Sequence, residues 1–115
     1  MSFQKKSIGE VTPITPFDGL ERRALTYDKD QMLCHFTEKK GFALPLHTHE
    51  AAQTGYVIKG KIKFFTNDGE LIVEPGDGYF FPSMYPHGSE ALEDSEIVEF
   101  FTPCREDYIP EGGAV

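Results

Sequence analysis

Three of the four histidines in this chain fall in two short segments, and their spacing is typical of a metal site. The first segment places His47, His49 and Gln53 at intervals of two and four residues. Residues of equal parity on an extended backbone face the same side, so two imidazoles and a carboxamide can converge on one point. The second segment ends at His87, where Pro86 stiffens the backbone before a third imidazole.

A single His-x-His pair is a weak signal, and His87 alone is compatible with a histidine in a turn. The joint pattern is more specific, because Gly41 and Gly60 bracket the first segment while Gly76 and Pro82 precede His87 at fixed distances. Imidazole is the usual protein ligand of zinc, iron, nickel and copper. We therefore predict one divalent transition metal, with nickel, zinc, iron, cobalt and manganese all open. The predicted ligands are His47, His49, Gln53 and His87.

Gln53 gives the predicted site an unusual charge balance. A carboxylate ligand would cancel one unit of the metal's charge, whereas a carboxamide oxygen cancels none. An ion that keeps its full charge favours Lewis-acid chemistry, in which a bound oxygen is polarised. The alternative is that Gln53 lies outside the ligand set and that three histidines and water hold the ion.

A second group with chemical potential lies near the C-terminus, where Glu99 is flanked by apolar residues and Arg105 follows Pro103. The alternation places Ile97, Glu99 and Phe101 on one face of a strand, but either face can be the inner one. An inward carboxyl would have a raised pKa suited to acid–base work. The planar fork of Arg105 suits a substrate carboxylate. A surface Glu99, or a structural Glu99–Arg105 ion pair, is the alternative.

The elements that would position these residues are short strands separated by turns, because no window sustains an apolar period of 3.6 residues. Segment 20–26 is compatible with a helix, but its context favours a strand. Asp68-Gly69 indicates a hairpin, and the acidic segment 90–96 is expected to be a solvated loop. The other predicted strands are 31–37, 53–59, 62–66, 71–74, 79–81 and 97–102.

Composition limits the classes of function. The chain has 115 residues and a formal net charge of −8, without a basic stripe, which argues against binding to nucleic acid or to an anionic membrane. Only two cysteines occur and no apolar run follows the N-terminal lysines, so we expect reduced thiols and a cytoplasmic location. His35 is interpreted as a structural strand histidine, and no role is assigned to Cys104.

The two histidine segments resemble the two signature motifs of the cupin superfamily. The first matches at every fixed position, with Gln53 where most cupins have glutamate; the second departs at Met84 and Ala91, which stand for a customary glycine and asparagine. The resemblance implies an all-β fold, a single cupin domain over 1–115 in the form of a jelly-roll-like double-stranded β-barrel, with a core at about 31–102. It also implies a homodimer, through a strand that the sequence does not identify.

The C-terminal block from Glu99 to Tyr108 resembles the KdgF-like cupins, which act on products of pectin and alginate breakdown. This resemblance implies that Glu99 and Arg105 are catalytic, although the family usually has aspartate at the first position. It implies conversion of a sugar acid, a 4,5-unsaturated monouronate, to an open-chain keto form. A metal-dependent dioxygenase and a non-catalytic module that binds a sugar or small acid are the alternatives. The predicted substrate-binding walls are Phe101, Tyr56, Phe81 and Tyr85.

Overall fold

Alternation of inward and outward side chains is clearest in the last strand of the structure, a computed structural model that describes residues 3–110. In the last strand Ser95, Ile97, Glu99 and Phe101 are buried, and the residues between them are only half-buried. Successive side chains of a strand point to opposite faces, so these four share the inner face. The inward direction of Glu99, which the sequence left open, follows from this placement.

The described residues form two antiparallel sheets and contain no α-helix, only short 3₁₀ turns at Ile8–Glu10 and Glu106–Tyr108. The larger sheet has the order β1-β2-β3-β10-β5-β8, and the smaller has the order β4-β9-β6-β7. The strands are β1 Ile14–Phe17, β2 Leu20–Tyr27, β3 Met32–Glu38, β4 Ala43–His47, β5 Ala52–Lys59, β6 Ile62–Thr66, β7 Gly69–Val73, β8 Gly78–Phe81, β9 His87–Ala91 and β10 Ser95–Thr102. This all-β sandwich confirms the predicted fold class, and the strand at 20–26 is likewise confirmed.

The core lies between the two sheets and is built from the inner faces of their strands. Met32, Val57, Ile62 and Phe101 are essentially inaccessible to solvent. Burial of such side chains is the main favourable contribution to folding, roughly 1.5–3 kcal/mol for each one. The core therefore fixes the frame onto which the polar residues of the site are attached.

The hairpin predicted at Asp68-Gly69 is present. Asn67 and Asp68 form the turn, and Gly69 already pairs with Thr66 across the ladder. Gly69 has a φ of 131°, a conformation that residues with a Cβ rarely adopt. The strand predicted at 71–74 consequently begins two residues earlier than expected.

The prediction of a solvated loop over 90–96 is wrong for most of its length. Glu90 belongs to β9 and Glu96 to β10, which leaves only a short acidic connection between these strands. The acidic residues are accommodated on the outer faces, where Lys63 lies 3.7 Å from Glu90 and His35 lies 2.6 Å from Glu96. Charge alone therefore did not indicate a loop here.

Strand β4 was not predicted because Pro45 interrupts its apolar pattern. It lies at the edge of the smaller sheet, where a residue without a backbone N–H is tolerated. The carboxyl end of this strand carries His47 towards the interior.

His35 is buried on the outer face of the larger sheet, opposite the core, and its Nε2 contacts the Glu96 carboxylate. Cys34 points inward beside it, and burial raises the pKa of its thiol to about 12, which disfavours the reactive thiolate. Cys34 and Cys104 are both free thiols.

Several large apolar side chains lie exposed on the outer face of β5 and β8, among them Tyr56, Ile58 and Phe80. The homodimer and the single-domain extent over 1–115 remain predictions. No helix within residues 3–110 is long and apolar enough to cross a membrane.

Candidate functional site

The three histidines predicted as metal ligands converge between the two sheets. One ligand nitrogen from each of His47, His49 and His87 lies within 4.8 Å of the other two. Two imidazole nitrogens on one tetrahedral zinc ion lie roughly 3.4 Å apart, given bonds of about 2.0–2.1 Å. Small ring movements would therefore bring all three nitrogens onto a single ion.

Each of the three imidazoles makes the same type of hydrogen bond to the backbone. The Nδ1–H groups of His47, His49 and His87 donate to the backbone carbonyls of Pro45, Ala51 and Tyr85, at 2.8, 2.7 and 2.8 Å. A hydrogen bond from one ring nitrogen fixes the tautomer and leaves the other nitrogen as an unprotonated ligand. Three Nε2 lone pairs are thus directed inward by the local backbone, which is the arrangement that a metal ion requires.

The surroundings of His49 and His87 also favour the neutral form of these two rings. Burial lowers the pKa of His87 to about 4, and burial likewise lowers the pKa of His49. Metal ions bind the neutral form of imidazole, so little proton competition is expected at neutral pH. The donor set therefore fits a divalent transition metal, which confirms the predicted histidine cluster in its coarse form.

The strands bring these residues together across the sandwich. His47 ends β4 and pairs directly with His87 at the start of β9, in the smaller sheet. His49 lies in the connection to β5, and Gln53 is on β5 in the larger sheet. The predicted convergence of His47, His49 and Gln53 is present, but it does not arise from equal parity on one extended strand. The chain crosses from the smaller to the larger sheet within this motif.

Gln53 links the histidine cluster to the buried Glu99. Its Nε2 donates to Glu99 Oε2 at 2.6 Å, and its Oε1 lies 3.0 Å from Nε2 of His49. Because the Glu99 carboxylate accepts a hydrogen bond from the amide nitrogen of Gln53, the amide oxygen is directed towards the imidazoles. Glu99 is 6% exposed; burial raises the pKa of its carboxyl against the opposing effect of its hydrogen bonds.

Tyr79 supplies a second donor to the same carboxylate, with its hydroxyl 2.5 Å from Glu99 Oε2. Gly55 lies between them, paired with Tyr79 on one side and with Glu99 on the other. A Cβ on Gly55 would lie 2.1 Å from Cζ of Tyr79. The phenol therefore reaches Glu99 across the space that the glycine leaves.

A cavity of about 520 Å³ opens beside the histidines, within the usual size range of small-molecule sites. Its walls include Glu99 and Arg105 together with the three histidines and Gln53. Arg105 does not pair with Glu99, the alternative left open by the sequence; it forms a bidentate ion pair with Asp107, at 2.8 and 3.2 Å. The predicted metal ligands and the two predicted catalytic residues therefore share one cavity.

The residues predicted as substrate walls are placed differently. Phe101 packs edge-on behind His49 at 6.2 Å between ring centroids, and Phe81 stacks on His87 at 4.4 Å. Tyr85 packs on Phe81 and donates its hydroxyl to Asp68, in a separate surface depression. These three side chains support ligands or each other and do not line the cavity.

Tyr56 is not in the cavity at all. Its side chain is 50% exposed, and it alternates with the inward residues Gln53 and Val57 of β5. Parity on this strand therefore directs Tyr56 to the outer face, contrary to the predicted role in substrate binding.

Several residues of the site were absent from the sequence-based prediction, among them Arg22, Glu38, Tyr79, Asp107 and Tyr108. Arg22 shares the inward parity of Leu20 and Ala24 on β2, and this charged residue between two inward apolar residues was the available signal. Tyr79 shares parity with Phe81, so it could have been assigned to the inner face once β8 was paired with β5.

Met84, which stands where the cupin motif has glycine, has a φ of 63°, in the left-handed region. Its backbone N–H donates to the carbonyl of His49 at 2.8 Å, so the turn is needed to hold this ligand segment. We expect Met84→Gly to raise the free energy of unfolding by about 0.5–1 kcal/mol, because glycine removes the strain at some cost in chain entropy. Urea unfolding measures this, with Met84→Ala as the control that keeps the strain. A glycine variant no more stable than the alanine variant would contradict it.

Comparisons with known proteins agree with this geometry. Residues 34–102 match the Cupin_2 family model, described as a cupin domain. The pectin degradation protein KdgF of Dickeya dadantii (strain 3937) is 29% identical over 94 residues, which span 80% of this chain and 86% of that protein.

Two solved structures extend the likeness. KdgF from Halomonas sp. superposes with a TM-score of 0.83 and 29% identity, covering 92% of this chain and 98% of that one. An RmlC-like cupin from Shewanella frigidimarina NCIMB 400 has a TM-score of 0.87 and 23% identity, covering 94% and 97% of the two chains. The second shows the fold alone, and together with the family match these findings confirm the predicted resemblance.

Proposed function

This chain belongs to the cupin family, and from that membership we propose that it is a metal-dependent enzyme that converts 4,5-unsaturated monouronates to their open-chain keto forms. The observation that carries the proposal is the shared cavity, which is lined by a buried Glu99 bonded to Gln53, by the three histidines and by Arg105. Similarity to two KdgF proteins, one of them described as a pectin degradation protein, supports the substrate class.

We propose His47, His49, His87 and Gln53 as the four residues that hold the metal. With Nδ1–H of His49 donating to Ala51, its Nε2 and the Gln53 oxygen are two acceptors only 3.0 Å apart. Two acceptors at this distance repel each other unless a cation lies between or beside them. When bound, the ion supplies a Lewis acid that polarises a substrate oxygen.

Arg105 is proposed to hold the carboxylate of the substrate. Asp107 occupies Nε and Nη2 of the guanidinium, and Nη1 makes no hydrogen bond within residues 3–110. The side chain is also positioned by Tyr108, whose ring centroid lies 4.0 Å from its Cζ. An oriented guanidinium with an available donor suits a carboxylate in the cavity.

Glu99 is proposed to transfer the proton. Both of its hydrogen bonds go to Oε2, which leaves Oε1 for the substrate. Oε1 takes the proton of the anomeric hydroxyl, the C1–O bond of the ring breaks, and its electron pair forms an enolate at the former ring oxygen. The same proton is then delivered to C4, which gives the ketone. Atoms and charge balance, because the product is an isomer of the substrate.

The test is loss of ultraviolet absorbance from an unsaturated monouronate, measured against buffer for protein loaded separately with zinc, nickel, cobalt, manganese or ferrous iron. We expect at least one metal form to accelerate the loss strongly and a chelator to abolish it, with activity restored when the metal is returned. Chelation should leave the fold intact, which circular dichroism verifies, because the core does not include the metal ligands.

A metal-loaded protein that leaves the rate of absorbance loss unchanged would contradict the proposed reaction. Oxygen uptake with the same acids would then favour a dioxygenase. Tight binding of an acid without any turnover would favour a non-catalytic binding protein.

A further inference from the structure

Two side chains with strong hydrogen-bonding capacity line the cavity, and neither has a side-chain hydrogen bond within the described residues. Arg22 and Glu38 are each 8% exposed. Nε of Arg22 and Oε1 of Glu38 are buried without a hydrogen bond, and neither residue is among the ion pairs found within residues 3–110. Buried polar groups are almost always paired, so each of these two requires an explanation.

The two groups are close in the fold but do not satisfy each other. Arg22 is on β2 and Glu38 on β3, both on the inner face, and Leu20 pairs with Glu38 while Arg22 pairs with Phe36. They are therefore diagonal neighbours across one ladder. An ion pair between adjacent strands would be the ordinary way to bury both charges, and its absence leaves both groups available to the cavity that they line.

The position of the Arg22 side chain is well defined. The Cζ atom of Arg22 lies 4.0 Å from the ring centroid of Tyr108, the same distance as that of Arg105. One phenol ring thus contacts two guanidinium groups that line the same cavity, and this contact holds Arg22 without using its N–H donors. Glu38 is the last residue of β3 and lines the same cavity.

Glu38 also has the properties of a neutral donor. Burial, followed by the charge of Glu99, raises the pKa of its carboxyl to about 8. A protonated carboxyl offers one O–H donor and one carbonyl acceptor, and a guanidinium offers donors only. A sugar hydroxyl both donates and accepts, so two adjacent hydroxyls can complete both side chains.

We propose that Arg22 and Glu38 form a hydroxyl-binding subsite that takes neighbouring hydroxyl groups of a polyhydroxylated acid whose carboxylate lies at Arg105. This inference rests on the proposed function for the sugar-acid class, and it adds the residues that select it. Sites built to bind a hydroxyl discriminate strongly against an analogue that lacks it, because their buried polar groups are then left unpaired. The subsite would thus separate uronates from simple carboxylic acids of similar size.

Calorimetric titration of the metal-loaded protein with two unreactive probes tests the subsite. The probes are D-galacturonate and cyclohexanecarboxylate, which share a six-membered ring and a carboxylate but differ in hydroxyl groups. We expect wild-type protein to bind galacturonate at least about tenfold more tightly, in line with the discrimination that paired hydroxyls give. Arg22→Met and Glu38→Met should each remove most of that preference while leaving cyclohexanecarboxylate affinity within about twofold.

Two further variants separate this role from general damage. Glu38→Gln keeps one donor and one acceptor and should retain galacturonate affinity within about threefold. Arg23→Met, on the outer face of β2, should behave as wild type, since the polar contacts of Arg23 within residues 3–110 are with the Val11 carbonyl and Glu21. Thermal unfolding and metal content identify any variant that is misfolded, and Arg22→Lys replaces Arg22→Met in that case.

Equal affinity of wild-type protein for the two probes would overturn the subsite. The subsite would also be overturned if Arg22→Met and Glu38→Met kept the preference for galacturonate, or if they lost affinity for both probes to the same extent. Turnover of unsaturated monouronate with KM unchanged in Arg22→Met and Glu38→Met would reject the subsite alone. A uronate preference that these variants lose, in a protein without any turnover, would reject the proposed reaction alone.

Discussion

Replacement of His87 by alanine is expected to reduce bound metal from one ion per chain to background. His87 contributes one of only three imidazoles, and its Nε2 is directed inward by the hydrogen bond from Nδ1–H to the Tyr85 carbonyl. Loss of groups that merely orient a ligand weakens metal binding by about 10–100-fold, so loss of the ligand itself should exceed about 100-fold. Equilibrium dialysis followed by elemental analysis measures the ion content and the affinity.

The matched control is His35→Ala, because His35 is equally buried but lies on the opposite face of the larger sheet, against Glu96. This variant should lose stability and retain one ion per chain. A His87→Ala protein that keeps wild-type affinity would show that the metal site lies elsewhere.

The second large effect is expected for Glu99→Gln, which should lower turnover of unsaturated monouronate by about 10²–10⁴-fold, the usual contribution of a positioned acid–base group. The substitution changes no volume and keeps an oxygen that can accept from Tyr79 and Gln53. Metal content and thermal stability should therefore remain close to wild type. Initial rates at saturating substrate, normalised to bound metal, measure the loss.

Glu96→Gln provides the comparison for Glu99→Gln, since Glu96 lies on the same strand but faces outward. Its turnover should equal that of wild type. If Glu99→Gln also kept its rate, the proton would have to be moved by another group, and the proposed role of Glu99 would be wrong.

The sequence was sufficient for the histidine cluster because His47, His49 and His87 lie at fixed distances from glycines and a proline, a joint pattern that is more specific than a His-x-His pair alone. It was also sufficient for the strands that alternate clearly and for the hairpin at Asp68. Local periodicity and turn chemistry determine these features, and both can be read along a single segment.

Other features depend on which strands are neighbours, and a single segment does not contain that information. Parity grouped Glu99 with Ile97 and Phe101 but could not decide which face is inner until β10 was placed between β3 and β5. The same limit misdirected Tyr56 to the cavity. The position of Arg22 between inward apolar residues was a local signal, but it did not indicate that Arg22 and Glu38 line one cavity together.

Gly55 on β5 has no side chain, and this allows Tyr79 on β8 to contact Glu99 on β10. Tyr79 crosses that gap to reach Glu99, so any residue with a Cβ at position 55 displaces the phenol and removes a donor from the carboxylate. The identities of positions 55, 79 and 99 are therefore mutually dependent, although they are far apart in the chain. In evolutionary terms this is epistasis with a steric cause. A residue larger than glycine at position 55 is acceptable only after Tyr79 has been replaced by a smaller residue. The intermediate with only the change at position 79 leaves Gln53 as the remaining side-chain donor to Glu99.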